Sequence, residues 1–257
     1  SLGAYIIVVI PLIIGLFISE IENKGKFALF LGVFLFLSIF ISVFTFSRGS
    51  WLGLLFSILF LLSLAKKSKA RLVILAAAVS FAMLIVLPVF IPSFDQPDVS
   101  TFSFDQPDVS TFSFDQPNVP PSPAVRLLSA FQPNGDSDRF KYWQAALRMI
   151  QERPYFGKGV GTFMDYFSKY LSLNPSYAHN CYLQIWAETG IFSLLSFLIY
   201  VGALFWLGIK RFLARGDYLL FSLLGGCLAY LAHAFFETSL YSLPLAFLFW
   251  IWVGLIS

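Results

Sequence analysis

Long uncharged apolar stretches alternate with short charged breaks along the chain. Seven stretches reach bilayer length between flanking charges or turns: residues 1–19, 27–46, 49–65, 72–92, 189–209, 218–236 and 238–257. Their apolar residues run on continuously instead of alternating, so the pattern predicts helices and not barrel strands. At about 1.5 Å per residue such runs match a hydrocarbon core of roughly 30 Å. Lipid offers the backbone no hydrogen bonds, and a helix satisfies its own. The expected fold is therefore all-α: a polytopic transmembrane helix bundle of about seven spans, with a large extracytoplasmic loop carrying short amphipathic helices. Four spans occupy residues 1–92 and three occupy 189–257. Between them lie a repeat segment, 93–136, and a loop region, 137–188.

Composition agrees with this class: 58% of the 257 residues are hydrophobic and 12% charged, about half the charged share of soluble domains. Seven alternating spans sort the breaks into two sets. Residues 20–26, 66–71 and 210–217 hold nine Lys/Arg in 21 positions; 47–48, 93–188 and Glu237 hold eight in 99. Short basic loops stay cytoplasmic, which places the long 93–188 segment outside. Its acidic start (Asp95, Asp98, Asp105, Asp108, Asp115) argues against nucleic-acid binding. The first run begins at Ser1 without a basic leader, so it does not read as a signal peptide. The chain reads as a piece of a longer protein. Cys181 and Cys227 form no framework and read as small apolar fillers.

The repeat segment carries SFDQPDVSTF at 93–102, the same ten residues at 103–112, and a third copy from Ser113 that decays into PNVPPSP. Each unit holds too little apolar surface to fold alone, so extended or disordered chain is expected. A spacer or sugar-contacting arm is one reading, and a tandem duplication tolerated in an exposed loop is the other. Further on, Asp136 and Ser137 start a helix. Phe140, Trp143, Leu147 and Ile150 then recur at helical spacing, up to a stop near Arg153 before Pro154. The turn Gly157-Lys158-Gly159-Val160-Gly161 leads to a second short amphipathic helix with Phe163, Phe167 and Tyr170. Both helices suit the outer bilayer surface or a cover over the bundle.

A few polar residues could carry chemistry. Arg48 interrupts an otherwise uncharged stretch from Phe27 to Ala65. Burial of Arg in lipid costs about 3 kcal/mol, which asks for a partner or a task; a tight outer turn with Arg reaching the headgroups is the alternative. Arg139 borders the apolar face of its helix, where a guanidinium could grip a phosphate or diphosphate in two-point fashion, or be a solvated surface Arg. His179 can accept a proton near neutral pH, or be an incidental loop residue. Asn180, Gln184 and Glu188 form a polar stripe on the helix entering the fifth span, although Asn180 could simply cap it. His233 and Glu237, one turn apart, are expected to pair. The sequence has no zinc-spaced His/Cys cluster and no Walker loop; GKGVGTF follows a proline turn and not a strand. ATP-driven and metal-dependent mechanisms gain no support.

Four segments in order form a recognisable set: SRGSWLGLL from Ser47, RFKYWQAALRMIQERPYFGKGVGTF from Arg139, AHNCYLQIWAETGIF from Ala178, and a terminal H…SLP…FW pattern from His233 to Trp250. Together they resemble the O-antigen ligase and Wzy-type polymerase superfamily of bacterial envelope glycosyltransferases, over most of the chain except the repeats. The resemblance implies transfer of a glycan from a polyprenyl-diphosphate-linked donor, at the outer face of the bacterial cytoplasmic (inner) membrane. The acceptor would be a hydroxyl on lipid A–core, a growing polysaccharide or a protein. It implies an inverting reaction with no metal, nucleotide or other cofactor. Arg48, Arg139 and His179 would be catalytic, the two arginines also binding substrate along with Asn180 and Glu188. Members of this superfamily carry more spans, so the chain would be a carboxy-terminal fragment, with 137–188 as its catalytic loop. Two other functions compete. An anion transporter or channel would need broken helices or charges near the midplane, whereas the informative charges gather at the outer surface. A non-catalytic membrane fragment would need its missing half.

Overall fold

The computed structural model describes residues 2–45, 47–90, 137–170 and 177–257. The SFDQPDVSTF repeats and Asp136 lie outside the described residues. Those residues form nine α-helices and no strand: α1 (Leu2–Glu22), α2 (Ala28–Phe44), α3 (Arg48–Leu64), α4 (Ser68–Phe90), α5 (Ser137–Glu152), α6 (Phe163–Tyr170), α7 (Cys181–Arg215), α8 (Tyr218–His233) and α9 (Leu243–Ile256), with a 3-10 turn at Ser239–Tyr241.

Short polar breaks set the helix starts. The Ser47 hydroxyl accepts from Ser50 N at 3.3 Å and opens α3. Asp217 opens α8 by accepting from Leu219 N at 2.8 Å. Each satisfies backbone donors that lack a partner in a first turn. Gly216, at φ 70°, closes α7 in the left-handed conformation. The 35-residue α7 is broken at Gly190, whose φ of 83° and ψ of 174° are not helical.

Helix α8 is the centre of the bundle, packed by α1, α3, α7 and α9. Phe221, Leu224, Cys227 and Tyr230 on α8 meet Ile7, Ile10 and Ile14 of α1 and Leu54 and Leu61 of α3 in one buried core. Small residues bring these helices close: a Cβ at Gly53 would lie 2.6 Å from the Ala229 carbonyl oxygen. The outward faces are as apolar as the interior, with Leu29, Phe30 and Phe36 on α2 and Ile199 and Trp206 on α7 exposed. A helix apolar all round suits an apolar solvent. Two helical stretches, Leu2–Glu22 and Ile191–Arg215, are long and apolar enough to cross a membrane, and four shorter apolar helices accompany them.

The helix ends fall into two groups. At one end, Glu22 accepts from Lys67 Nζ at 2.5 Å and Tyr218 Oη at 2.6 Å, which gathers the ends of α1, α4 and α8. At the other end, Gly3 lies against Ser47 and Ser50, and Gly49 against His233 and Phe236. The basic breaks 20–26, 66–71 and 210–217 belong to the first end. Over the second end, α5 and α6 pack on the start of α7 around a smaller core of Ala145, Ala146, Met149, Phe163, Phe167 and Ala187.

Candidate functional site

The turn after α8 organises the second end. Glu237 Oε1 accepts from Arg139 Nη2 at 3.1 Å, and its Oε2 lies 3.2 Å from His179 Nδ1. One carboxylate thus joins α5 to the loop before α7, across sequence separations of 98 and 58 residues. The three side chains stay partly open, at 37% exposure for Arg139, 33% for Glu237 and 30% for His179. Burial pushes the Glu237 carboxyl upward, but the His179 hydrogen bond and the charges of His179, Arg139 and His233 outweigh it and hold it below the usual carboxylate range. It is therefore ionised at neutral pH.

The segment that carries His179 is tightly fixed. Its backbone adopts φ 48°, in the left-handed region, a conformation that costs a non-glycine residue about 1 kcal/mol. Neighbouring bonds impose it. Ala178 N donates to Gln184 Oε1 at 3.2 Å, and Cys181 N donates to the Ala234 carbonyl at 2.8 Å. The buried Cys181 thiol donates to the Glu237 carbonyl at 3.2 Å. The Tyr142 ring sits 5.5 Å from the imidazole, centroid to centroid.

Asn180 is the cap of α7: its Oδ1 accepts from Tyr182 N and Leu183 N, both at 3.0 Å. Glu188 is 1% exposed and surrounded by donors of the protein itself. Gly161 N, Phe163 N, Gln184 Nε2 and Tyr241 Oη reach it at 3.0–3.2 Å. Expected as substrate contacts, both side chains have their oxygens engaged within the fold. The Pro154–Gly161 loop is held further where Ile191 N donates to the Pro154 carbonyl at 3.0 Å. A Cβ at Gly190 would overlap the Tyr155 carbonyl, so only glycine allows that approach.

Arg48 is the first residue of α3, directly after the Ser47 cap. The next residue, Gly49, has so little room that a Cβ would lie 2.8 Å from Phe236 Cβ. This close packing sets Arg48 at the same end as Glu237. The structure therefore joins Arg139 to His179 through Glu237, puts Arg48 at the same end of the bundle, and gives Asn180 and Glu188 framework contacts.

One expected pair is not made. His233 Nδ1 bonds Ser239 Oγ at 2.9 Å, and its Nε2 has no partner. Glu237 N still reaches the His233 carbonyl at 3.2 Å, but Ser239 takes the His233 ring while Arg139 and His179 take the Glu237 carboxylate. The sequence signal for Glu237 is its place as the single charge between two apolar runs; its partners come only from the tertiary fold.

A sequence model of the O-antigen ligase family matches residues 33–198. That stretch holds Arg48, Arg139, His179, Asn180 and Glu188 and ends before Glu237. Curated proteins and solved structures yield no match. With more than half its length matched, and with the matched segment supplying both arms of the Glu237 cluster, the chain belongs to the O-antigen ligase family.

Proposed function

We propose that the protein transfers a glycan from a polyprenyl-diphosphate-linked donor to an acceptor hydroxyl at the outer face of the bacterial cytoplasmic membrane. The acceptor hydroxyl belongs to lipid A–core, a growing polysaccharide or a protein. Helices α1–α4 and α7–α9 are the seven spans, the end holding Glu22 and Lys67 faces the cytoplasm, and the Glu237 end faces outward. Family membership supports glycan transfer of the ligase or polymerase type. The observation that carries the mechanism is the meeting of a guanidinium and an imidazole on one carboxylate at the loop end of the bundle.

As the glycosidic bond breaks, negative charge builds on the departing diphosphate. Arg139, with Arg48 from the start of α3, stabilises that charge without a metal ion or other cofactor. His179 takes the proton of the acceptor hydroxyl. Attack from the face opposite the diphosphate inverts the anomeric carbon. Asn180 and Glu188 hold the loops that present these groups.

Replacing His179 or Arg139 with Ala in the full-length protein tests the proposal, with surface glycan followed by gel. Near-complete loss of glycan is expected for each, at normal protein levels. Normal glycan in both variants would remove the catalytic assignment.

A further inference from the structure

In the mechanism above, Arg139 serves a diphosphate and His179 a hydroxyl, yet the structure ties both to a third group that neither step uses. We infer that Glu237 is the positioning residue of the site: it orients His179 through Nδ1, and it competes with the donor's diphosphate for Arg139. The inference rests on the proposed function and adds a residue that lies outside the family match.

The first half follows from hydrogen-bond chemistry. An ionised carboxylate only accepts, so the ring nitrogen 3.2 Å from Glu237 Oε2 carries the hydrogen. The neutral imidazole is thereby fixed as the Nδ1–H form, and its lone pair sits on Nε2. The carboxylate is itself held in place: Glu237 N donates to the His233 carbonyl at 3.2 Å, and the Glu237 carbonyl accepts from Cys181 Sγ. Groups of three elements surround the imidazole and its partner: Arg139 and Tyr142 from α5, Cys181 from α7 and His233 from α8.

The second half follows from exposure. The Arg139–Glu237 pair is about one-third open on both sides, and such pairs are worth at most about 1 kcal/mol. A diphosphate carries more than one negative charge and accepts two-point bonds from a guanidinium, so it outcompetes a single carboxylate oxygen. Once Arg139 moves to the diphosphate, the full charge of Glu237 is left to His179. The acceptor proton then passes to His179 Nε2, and the acceptor oxygen bonds to the anomeric carbon. The old carbon–oxygen bond breaks with its electron pair going to the diphosphate. The new imidazolium rests against a carboxylate that stays ionised.

Glu237→Gln separates this role from a structural one, because the two readouts move in opposite directions. In the purified full-length protein, inorganic diphosphate should bind up to about five-fold more tightly in E237Q than in wild type, since Arg139 loses an ionic competitor. Glycan transfer should fall roughly a hundred-fold or more, as expected when a base loses its orienting carboxylate. Nitrogen-15 NMR reads the tautomer directly, with H179Q assigning one of the chain's two histidines. Wild type should show the Nδ1–H form and E237Q a mixture, while Glu237→Asp recovers most of the transfer. Equal loss of diphosphate binding and transfer in E237Q and E237D alike would overturn the inference, as would an unchanged tautomer. If wild-type protein fails to bind diphosphate at all, the arginine assignment under the proposed function falls as well.

Discussion

Glu188 shows how one buried charge can serve as a framework. Its carboxylate gathers two backbone amides of the Gly157–Phe163 loop, the Gln184 amide and the Tyr241 hydroxyl. Gln184 in turn accepts from Ala178 N, next to His179. Glu188→Ala would leave these donors without an acceptor in a buried place, at a cost of about 3 kcal/mol. A lower thermal midpoint in detergent and faster proteolysis around Val160 are the expected signs; an unchanged midpoint would show that the loop is held by other means. At this scale the sequence revealed residue types better than their uses. Glu188 was visible as a charge beside a span, and Asn180 as a possible cap. The Glu237 partnerships were hidden, because separations of 98 and 58 residues leave no periodic trace. One-turn spacing pointed instead to His233, whose ring is taken by Ser239.

The helices were far more legible than the side-chain network. Every apolar run predicted as a span coincides with a helix, because run length and flanking polar breaks both act locally. The start of α7 was legible too: the apolar run begins at residue 189, but the polar stripe read as part of the same helix with Asn180 as a possible cap, and the helix begins at Cys181 after that cap. Close packing was not apparent, since it depends on what faces each glycine. A Cβ at Gly15 of α1 would lie 2.5 Å from both the Tyr218 carbonyl oxygen and Ser222 Oγ of α8, whereas Gly202 of α7 has open space around it. Gly15→Leu should therefore force α1 off α8 and cost at least roughly 1–3 kcal/mol, while Gly202→Leu is tolerated. Thermal unfolding of the two variants side by side checks this, and equal stability would contradict the packing of α1 on α8.

Across the whole molecule, charge and chemistry separate to opposite ends of an apolar bundle. Glu22, Lys67 and Tyr218 close one end; Arg139, His179 and Glu237 occupy the other. If the proposed orientation holds, an impermeant thiol reagent applied to intact cells should modify Val160→Cys, at a position 80% exposed in the Gly157–Gly161 loop, and spare Lys67→Cys. The reverse pattern would turn the molecule over, put the cluster in the cytoplasm and remove the proposed outer-face reaction.

The order in which these parts leave the ribosome has a consequence of its own. Arg139, His179 and Glu188 are all synthesised before Glu237 and Tyr241, the groups that tie them together in the turn between α8 and α9. A nascent chain therefore makes α1–α7 while its imidazole and guanidinium still lack the carboxylate they will share. The turn between α8 and α9 supplies the carboxylate last of the three groups, so the cluster can close only after α5, the His179 loop and α8 have all been made.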